Sequence, residues 1–260
     1  MTTVPPASLP RRLYTLLVTD HLLIFLVCIL LTGLVSIPLS AYQTTRPFFP
    51  AESSLWNVYK GDTIPTALVF VVHYALLTPL IYHFACVTRL SSPSTLALGL
   101  PSATMIAVLI VEMGKGYVGR LRPSFATVCM DAAPTKAWLD LPSILSDAAC
   151  PAADKKLLHD ARRSFPSGHA ALAVCGAAYF QLCLMRALPK MEGSFRRLAL
   201  YSLGWGAMLW AAYVSASRVF DNAHHVSDVA VGMIVGLWTA RVHFLFVAGE
   251  IDRERATKED

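Results

Sequence analysis

The sequence predicts an all-α, polytopic membrane protein with six transmembrane helices. Three observations predict it. Of 260 residues, 55% are hydrophobic and only 15% charged, with a mean hydropathy of +0.52. A soluble domain carries about 25% charged residues, so much of this surface faces something other than water. Apolar runs also recur at lengths near the ~20 residues that a helix needs to cross a bilayer. Lastly, the runs leave almost no polar helix face for water, which excludes a soluble helical bundle.

The elements follow in order. Leu22–Leu39 is the first run. Arg11 and Arg12 precede it and Ser40-Ala41 follow, as around a signal peptide. It exceeds the roughly 7–15 residues of a signal h-region, so it reads as a retained anchor. Thr63–Val87 is the second span, and Leu96–Val111 the third, with Pro101 near its start and Glu112 at its end. Ala170–Leu188 is the fourth; its Ala and Gly residues suit close helix packing. Leu198–Val214 and Val226–Val247 complete the set. Residues 1–16 and the charged residues 250–260 read as tails on a single domain covering 1–260.

Helix alternation places the termini and the 2–3 and 4–5 connections on one side, and the other three connections opposite. The 4–5 connection carries Arg186, Lys190, Arg196 and Arg197 against Glu192, which makes the termini side cytoplasmic. The long connections 41–62 and 112–165 then face the lumen or exterior, and loops of that length are usually functional or disordered. Cys129 and Cys150 share the second of these loops and form a candidate disulfide if it meets an oxidising compartment. Cys28, Cys86, Cys175 and Cys183 fall in or beside apolar runs and read as packing residues. The formal net charge of +5 does not signal nucleic acid, because the basic residues form no aromatic-interleaved stripe.

Three clusters carry chemistry. Lys115 precedes Arg122-Pro123 in KGYVGRLRP; Pro166-Ser167-Gly168-His169 closes SFPSGH; and Ser217-Arg218, His224 and Asp228 lie in SRVFDNAHHVSD. Singly, each has a plain reading as interfacial cations, a turn before a helix, or an i,i+4 surface pair. Helix parity puts all three on one membrane face, as a single extracytoplasmic active site requires. Lys115, Arg122 and Arg218 can oppose a phosphate's charge, and the arginine forks can bind two oxygens at once. Ser167 and Gly168 sit at a helix N-terminus, where unpaired N–H groups favour anions. His224, with Asp228 to hold one ring nitrogen, is a candidate nucleophile, and His169 a candidate acid for the leaving alcohol. His225 is an alternative to His224 that faces elsewhere on a helix, Asp221 reads as loop capping, and His21, His73 and His83 read as packing or interfacial residues. Neither a metal nor a cofactor is expected, since cations already occupy the place that Mg²⁺ would take.

At these residues the chain closely resembles the type 2 phosphatidic acid phosphatase superfamily, in its lipid phosphate phosphatase branch. The resemblance rests on all three motifs without a gap and on the six-helix layout. It implies His224 as nucleophile, His169 as acid, Asp228 as orienting partner, and Lys115, Arg122, Ser167, Gly168 and Arg218 as phosphate ligands. It further implies magnesium-independent hydrolysis of phosphatidic acid or a related lipid phosphate through a phosphohistidine. The partners it implies are the lipid phosphate and membrane lipids, with a homo-oligomer left open. Eukaryotic members often carry Asp-Tyr-Lys-His-His-Trp where this chain has Asp221-Asn222-Ala223-His224-His225-Val226, so substrate preference does not transfer. The alternatives are a polyprenyl diphosphate or diacylglycerol pyrophosphate phosphatase, a glucose-6-phosphatase-like enzyme, and a non-catalytic lipid-binding relative. Soluble vanadium haloperoxidases share the phosphate site but lack the spans.

Overall fold

The computed structural model describes residues 25–34, 46–130, 150 and 154–259. Eight helices organise them: α1 Phe25–Leu34, α2 Thr66–Val87, α3 Pro93–Val118, α4 Phe125–Met130, α5 Lys155–Ala161, α6 Gly168–Ala187, α7 Ser194–Phe220 and α8 Val226–Glu259. Five of them, α2, α3, α6 (extended by a 3₁₀ turn to Lys190), α7 and α8 as far as Arg253, are long and apolar enough to cross a membrane. They correspond to the second through sixth predicted spans. Of the first, the structure describes the short apolar helix α1; the remainder lies outside the described residues.

Several elements outrun the apolar pattern. Helix α3 continues through Glu112 to Val118, because Glu112 is ion-paired there with Lys115 and Arg163. At its end Gly119 takes a left-handed conformation (φ 58°) and returns its N–H to the Lys115 carbonyl, which stops the helix. Helix α8 runs on into the charged C-terminal stretch, where Ile251 is buried and Asp252 pairs with Arg186. Helix α2 holds a π turn over Val72–Leu77. Pro79, with no N–H to give, cannot complete the α ladder, and the Thr78 N–H and hydroxyl both reach the His73 carbonyl.

Helix α6 is the hub, packed against α8, α7, α3 and α2. Its apolar stretch is 72% buried, against 22–56% for the other spans. Small residues make this possible. A β-carbon on Gly232 or Gly236 of α8 would stand 2.5 Å from the Ser167 or Ala171 carbonyl oxygen, so the two backbones touch. Beyond the bundle end that carries the motifs, Phe48, Leu55, Leu121, Phe125 and Ala161 form a second small core under α4 and α5. Cys129 and Cys150 are disulfide-bonded within this cap.

Candidate active site

The end of α3, the start of α6, the end of α7 and the start of α8 meet around a cavity of about 340 Å³. Lys115, Arg122, Gly168, His169, Arg218 and His224 all line it. Each is placed by local backbone chemistry. Arg122 is fixed by its N–H to the Ala161 carbonyl (2.7 Å), and the neighbouring Ser164 N–H reaches the Arg120 carbonyl (3.0 Å). The first bond ties the first motif to the end of α5, and the second ties it to the second motif. Asn222 adopts a left-handed φ of 58° after α7, and the Ala223 and His224 N–H groups turn back to the Arg218 carbonyl. That turn swings the third motif around the cavity.

His224 is almost fully buried, and its Nδ1–H donates to the Ser164 carbonyl at 2.6 Å. The bond fixes the tautomer and leaves the lone pair on Nε2. Burial, reinforced by the charges of Arg122 and Lys115, holds the ring's pKa well below the ordinary histidine value. The imidazole is therefore neutral near pH 7. Asp228, read from spacing as its direct partner, stands 4.0 Å from Nδ1, beyond hydrogen-bond reach. It acts one step removed: its carboxylate accepts from the Ser164 hydroxyl (2.6 Å), Arg120 (2.6 Å) and the His225 N–H (3.0 Å). Ser164 thus joins the carboxylate to the ring. His225 turns away, its Nε2 3.1 Å from the Leu121 carbonyl.

The cations are matched with carboxylates. Lys115 pairs with Glu112 (2.8 Å), Arg122 with Asp160 (3.0 Å), and Arg218 with Asp221 and Asp62 (2.7 Å each). Asp221 does more than cap its loop: besides Arg218 it accepts from the Thr63 N–H (2.9 Å) and hydroxyl (2.5 Å). Asp62 also accepts from the Tyr59 hydroxyl at 2.6 Å. Burial pushes the Asp62 carboxyl up, but the Tyr59 bond and the Arg218 charge outweigh it and hold the pKa below the usual value. Tyr59 in turn is pushed up to about 12, by burial and then by Asp62, and stays a donor.

At the start of α6, Gly168 leaves room for Lys115, whose Nζ would be 3.3 Å from an added β-carbon. His169 Nε2 is 3.0 Å from the Thr66 hydroxyl of α2. Ser167 is not on the cavity wall: its N–H donates to the Asp228 carbonyl (3.0 Å), and its buried hydroxyl has no partner among the described residues. The apolar side of the cavity is Phe70, Val108, Val111 and Leu172.

Sequence reasoning missed Tyr59, Asp62, Thr66, Glu112, Arg120, Asp160 and Ser164. Glu112 carried a signal, its i,i+3 spacing to Lys115. Arg120 and Ser164 lie inside the quoted motifs. Asp62 and Asp160 meet their cations across 156 and 38 residues, with no local pattern to mark them.

The fold and site define a membrane protein with a buried, cation-rimmed histidine centre, and comparison with known families agrees. The model of the PAP2 superfamily matches residues 96–252, and the chain belongs to that superfamily. Among curated proteins it is similar to phospholipid phosphatase 1 of Rattus norvegicus, at 27% identity over 92% of this chain and 89% of the relative. It is also similar to the Schizosaccharomyces pombe protein named "Probable diacylglycerol pyrophosphate phosphatase 1", at 29% identity over 61% of this chain and 56% of the relative. Among solved structures, a transmembrane PAP2-type phosphatidylglycerolphosphate phosphatase from Bacillus subtilis aligns over 90% of this chain and 96% of its own, with 20% identity and a TM-score of 0.39.

Proposed function

We propose that this protein is a lipid phosphate phosphatase that hydrolyses the phosphomonoester of phosphatidic acid or a related lipid phosphate through a phosphohistidine. The observation that carries this reading is the Ser164 carbonyl on His224 Nδ1, which presents a neutral ring with its Nε2 lone pair beside Lys115, Arg122 and Arg218.

Nε2 attacks phosphorus, the bond from phosphorus to the lipid oxygen breaks, and His169 gives that oxygen a proton. Water then attacks the phosphohistidine, His169 takes the proton from the water, and inorganic phosphate leaves with His224 restored. Lys115, Arg122, Arg218 and the first-turn amides of α6 stabilise the equatorial oxygens. Thr66 holds the His169 ring, and Phe70, Val108, Val111 and Leu172 give the lipid's first carbons an apolar wall.

The site is assigned to the luminal or exterior face, and the termini to the cytoplasmic side. Arg186, Lys190, Arg196 and Arg197 gather at the opposite end of the bundle, and a disulfide sits on the site's side. Diacylglycerol pyrophosphate is the second substrate to test, given the yeast relative's name.

The test is phosphate release from phosphatidic acid, diacylglycerol pyrophosphate and a polyprenyl diphosphate in EDTA, by wild type and His224→Ala. Activity that survives EDTA and falls at least ~10³-fold in the variant is expected. Activity abolished by EDTA overturns the metal-free mechanism.

A further inference from the structure

A guanidinium has five N–H donors in a fixed plane, and Arg218 has committed most of them. Nε donates to the Ser217 hydroxyl (3.1 Å), Nη2 to the same hydroxyl (3.0 Å) and to Asp221 (2.7 Å), and Nη1 to Asp62 (2.7 Å). Among the described residues one N–H, on Nη1, is left. That donor shares its nitrogen with Asp62, so a phosphate oxygen that approaches it meets the carboxylate as well.

The two carboxylates on Arg218 differ in how firmly they are held. Asp221 is 5% exposed and also takes two bonds from Thr63. The Asp62 carboxylate is 37% exposed, lines the cavity, and among the described residues has one other partner, the Tyr59 hydroxyl, on the oxygen it offers to Arg218. It sits on Nη1, the nitrogen that carries the uncommitted donor. A phosphate oxygen arriving there competes with Asp62 and not with Asp221. The nearby carboxylate charge would also repel the incoming dianion.

We propose that Asp62 is a specificity-determining residue: an exchangeable internal carboxylate, anchored by Tyr59, that holds one N–H of the cavity-facing Arg218 Nη1 and yields that nitrogen to substrate phosphate. The assignment rests on the phosphatase reading for its biological sense. It sets a threshold for the site, in that a ligand must offer Arg218 a better anion than a side-chain carboxylate. Weaker monoanions are thereby refused, while Ser217 and Asp221 keep the guanidinium in place throughout the exchange.

The experiment is equilibrium binding of inorganic phosphate to the purified full chain in detergent, by calorimetry, for wild type, Asp62→Asn and Tyr59→Phe. Phosphatidic acid kinetics are measured alongside. Asp62→Asn should bind phosphate roughly ten-fold more tightly, the scale of one half-exposed charged hydrogen bond. KM should fall with it and kcat should not rise. Tyr59→Phe, which loosens the anchor, should shift both in the same direction by a smaller factor. Unchanged or weaker phosphate binding in a folded Asp62→Asn overturns the proposal, since a purely structural carboxylate would give that result. If Asp62→Asn does not fold, unchanged or weaker binding in Tyr59→Phe overturns it instead. Phosphate binding is read without turnover. Tightened binding in a chain that cleaves no lipid phosphate would therefore refute the phosphatase reading and leave Asp62 as assigned.

Discussion

Arg218, in the last turn of α7, and His224, just before α8, flank the same short connection, yet they are secured in different ways. His224 is held by the main chain: a carbonyl fixes its ring, and the carboxylate behind that carbonyl is fully buried. Arg218 is held by side chains, one of them on a loop 156 residues earlier. A nucleophile must keep its aim within tenths of an ångström, whereas a cation that binds and releases an anion at each turnover needs partners it can exchange. On the proposed mechanism, that is why the rigid half and the exchangeable half of the site are built from different materials.

The largest effect should come from breaking the rigid half at Asp228. Asp228→Asn keeps the size but removes the charge that gathers Arg120, Ser164 and the His225 N–H. Ser164 then loses its side-chain anchor, and the His224 ring part of its aim. A fall in kcat of about 10²-fold with KM nearly unchanged is expected, because misplacing a nucleophile penalises the transition state more than binding. A variant that instead raised KM alone would place Asp228 in substrate binding. Acid separates the halves as well. The His224 pKa is depressed in the fold, so the unfolded chain takes up a proton as pH falls below the ordinary 6.5 and the folded chain does not. Stability contributed by the neutral ring is present above pH 6.5 and is lost as pH falls towards the depressed value, by about 1.4 kcal/mol per pH unit. The Asp62 link has the same sign in a lower window: its carboxyl is held below the ordinary 3.8, so its contribution is lost only in stronger acid. Thermal unfolding of wild type and His224→Gln between pH 7 and 5 checks this. The two curves should converge as pH falls, and parallel curves would show that His224 titrates normally.

The same division explains what was legible in the sequence. The motif residues placed by a helix end and its following turn, from Lys115 and Arg122 to His224 and Asp228, were marked by short-range spacing, although Arg120 beside them was not. Five spans were equally legible from apolar run length, though their ends were not. Glu112 and Asp252 look like terminators by hydropathy, yet ion pairing with Lys115, Arg163 and Arg186 keeps both inside helices. Spacing also suggested a direct bond between His224 and Asp228. It could not show that Ser164, from another motif, would come between them, because that depends on how α6 and α8 pack. Asp62 and Asp160 were invisible for the same reason: the arginines they meet are distant in sequence, and Tyr59 gains its place only through Asp62.

Ser167 tests which half the start of α6 belongs to. Its N–H is tied to the Asp228 carbonyl, so its backbone is part of the rigid half. Its hydroxyl is different: buried, at a helix N-terminus, and without a partner among the described residues. An unsatisfied buried hydroxyl is costly, and in a native site it calls for an explanation. The explanation consistent with the proposed chemistry is a donor reserved for phosphate, reached by rotation about χ1. Ser167→Ala should then lower kcat/KM by roughly three- to ten-fold, the scale of one hydrogen bond to a charged oxygen. It should not lower the unfolding temperature, because the folded protein gives up no hydrogen bond with the hydroxyl. If stability falls while kinetics hold, the hydroxyl has a structural partner and phosphate is left to Lys115, Arg122, Arg218 and the helix amides. Steady-state kinetics and thermal unfolding on the same preparation separate the two outcomes.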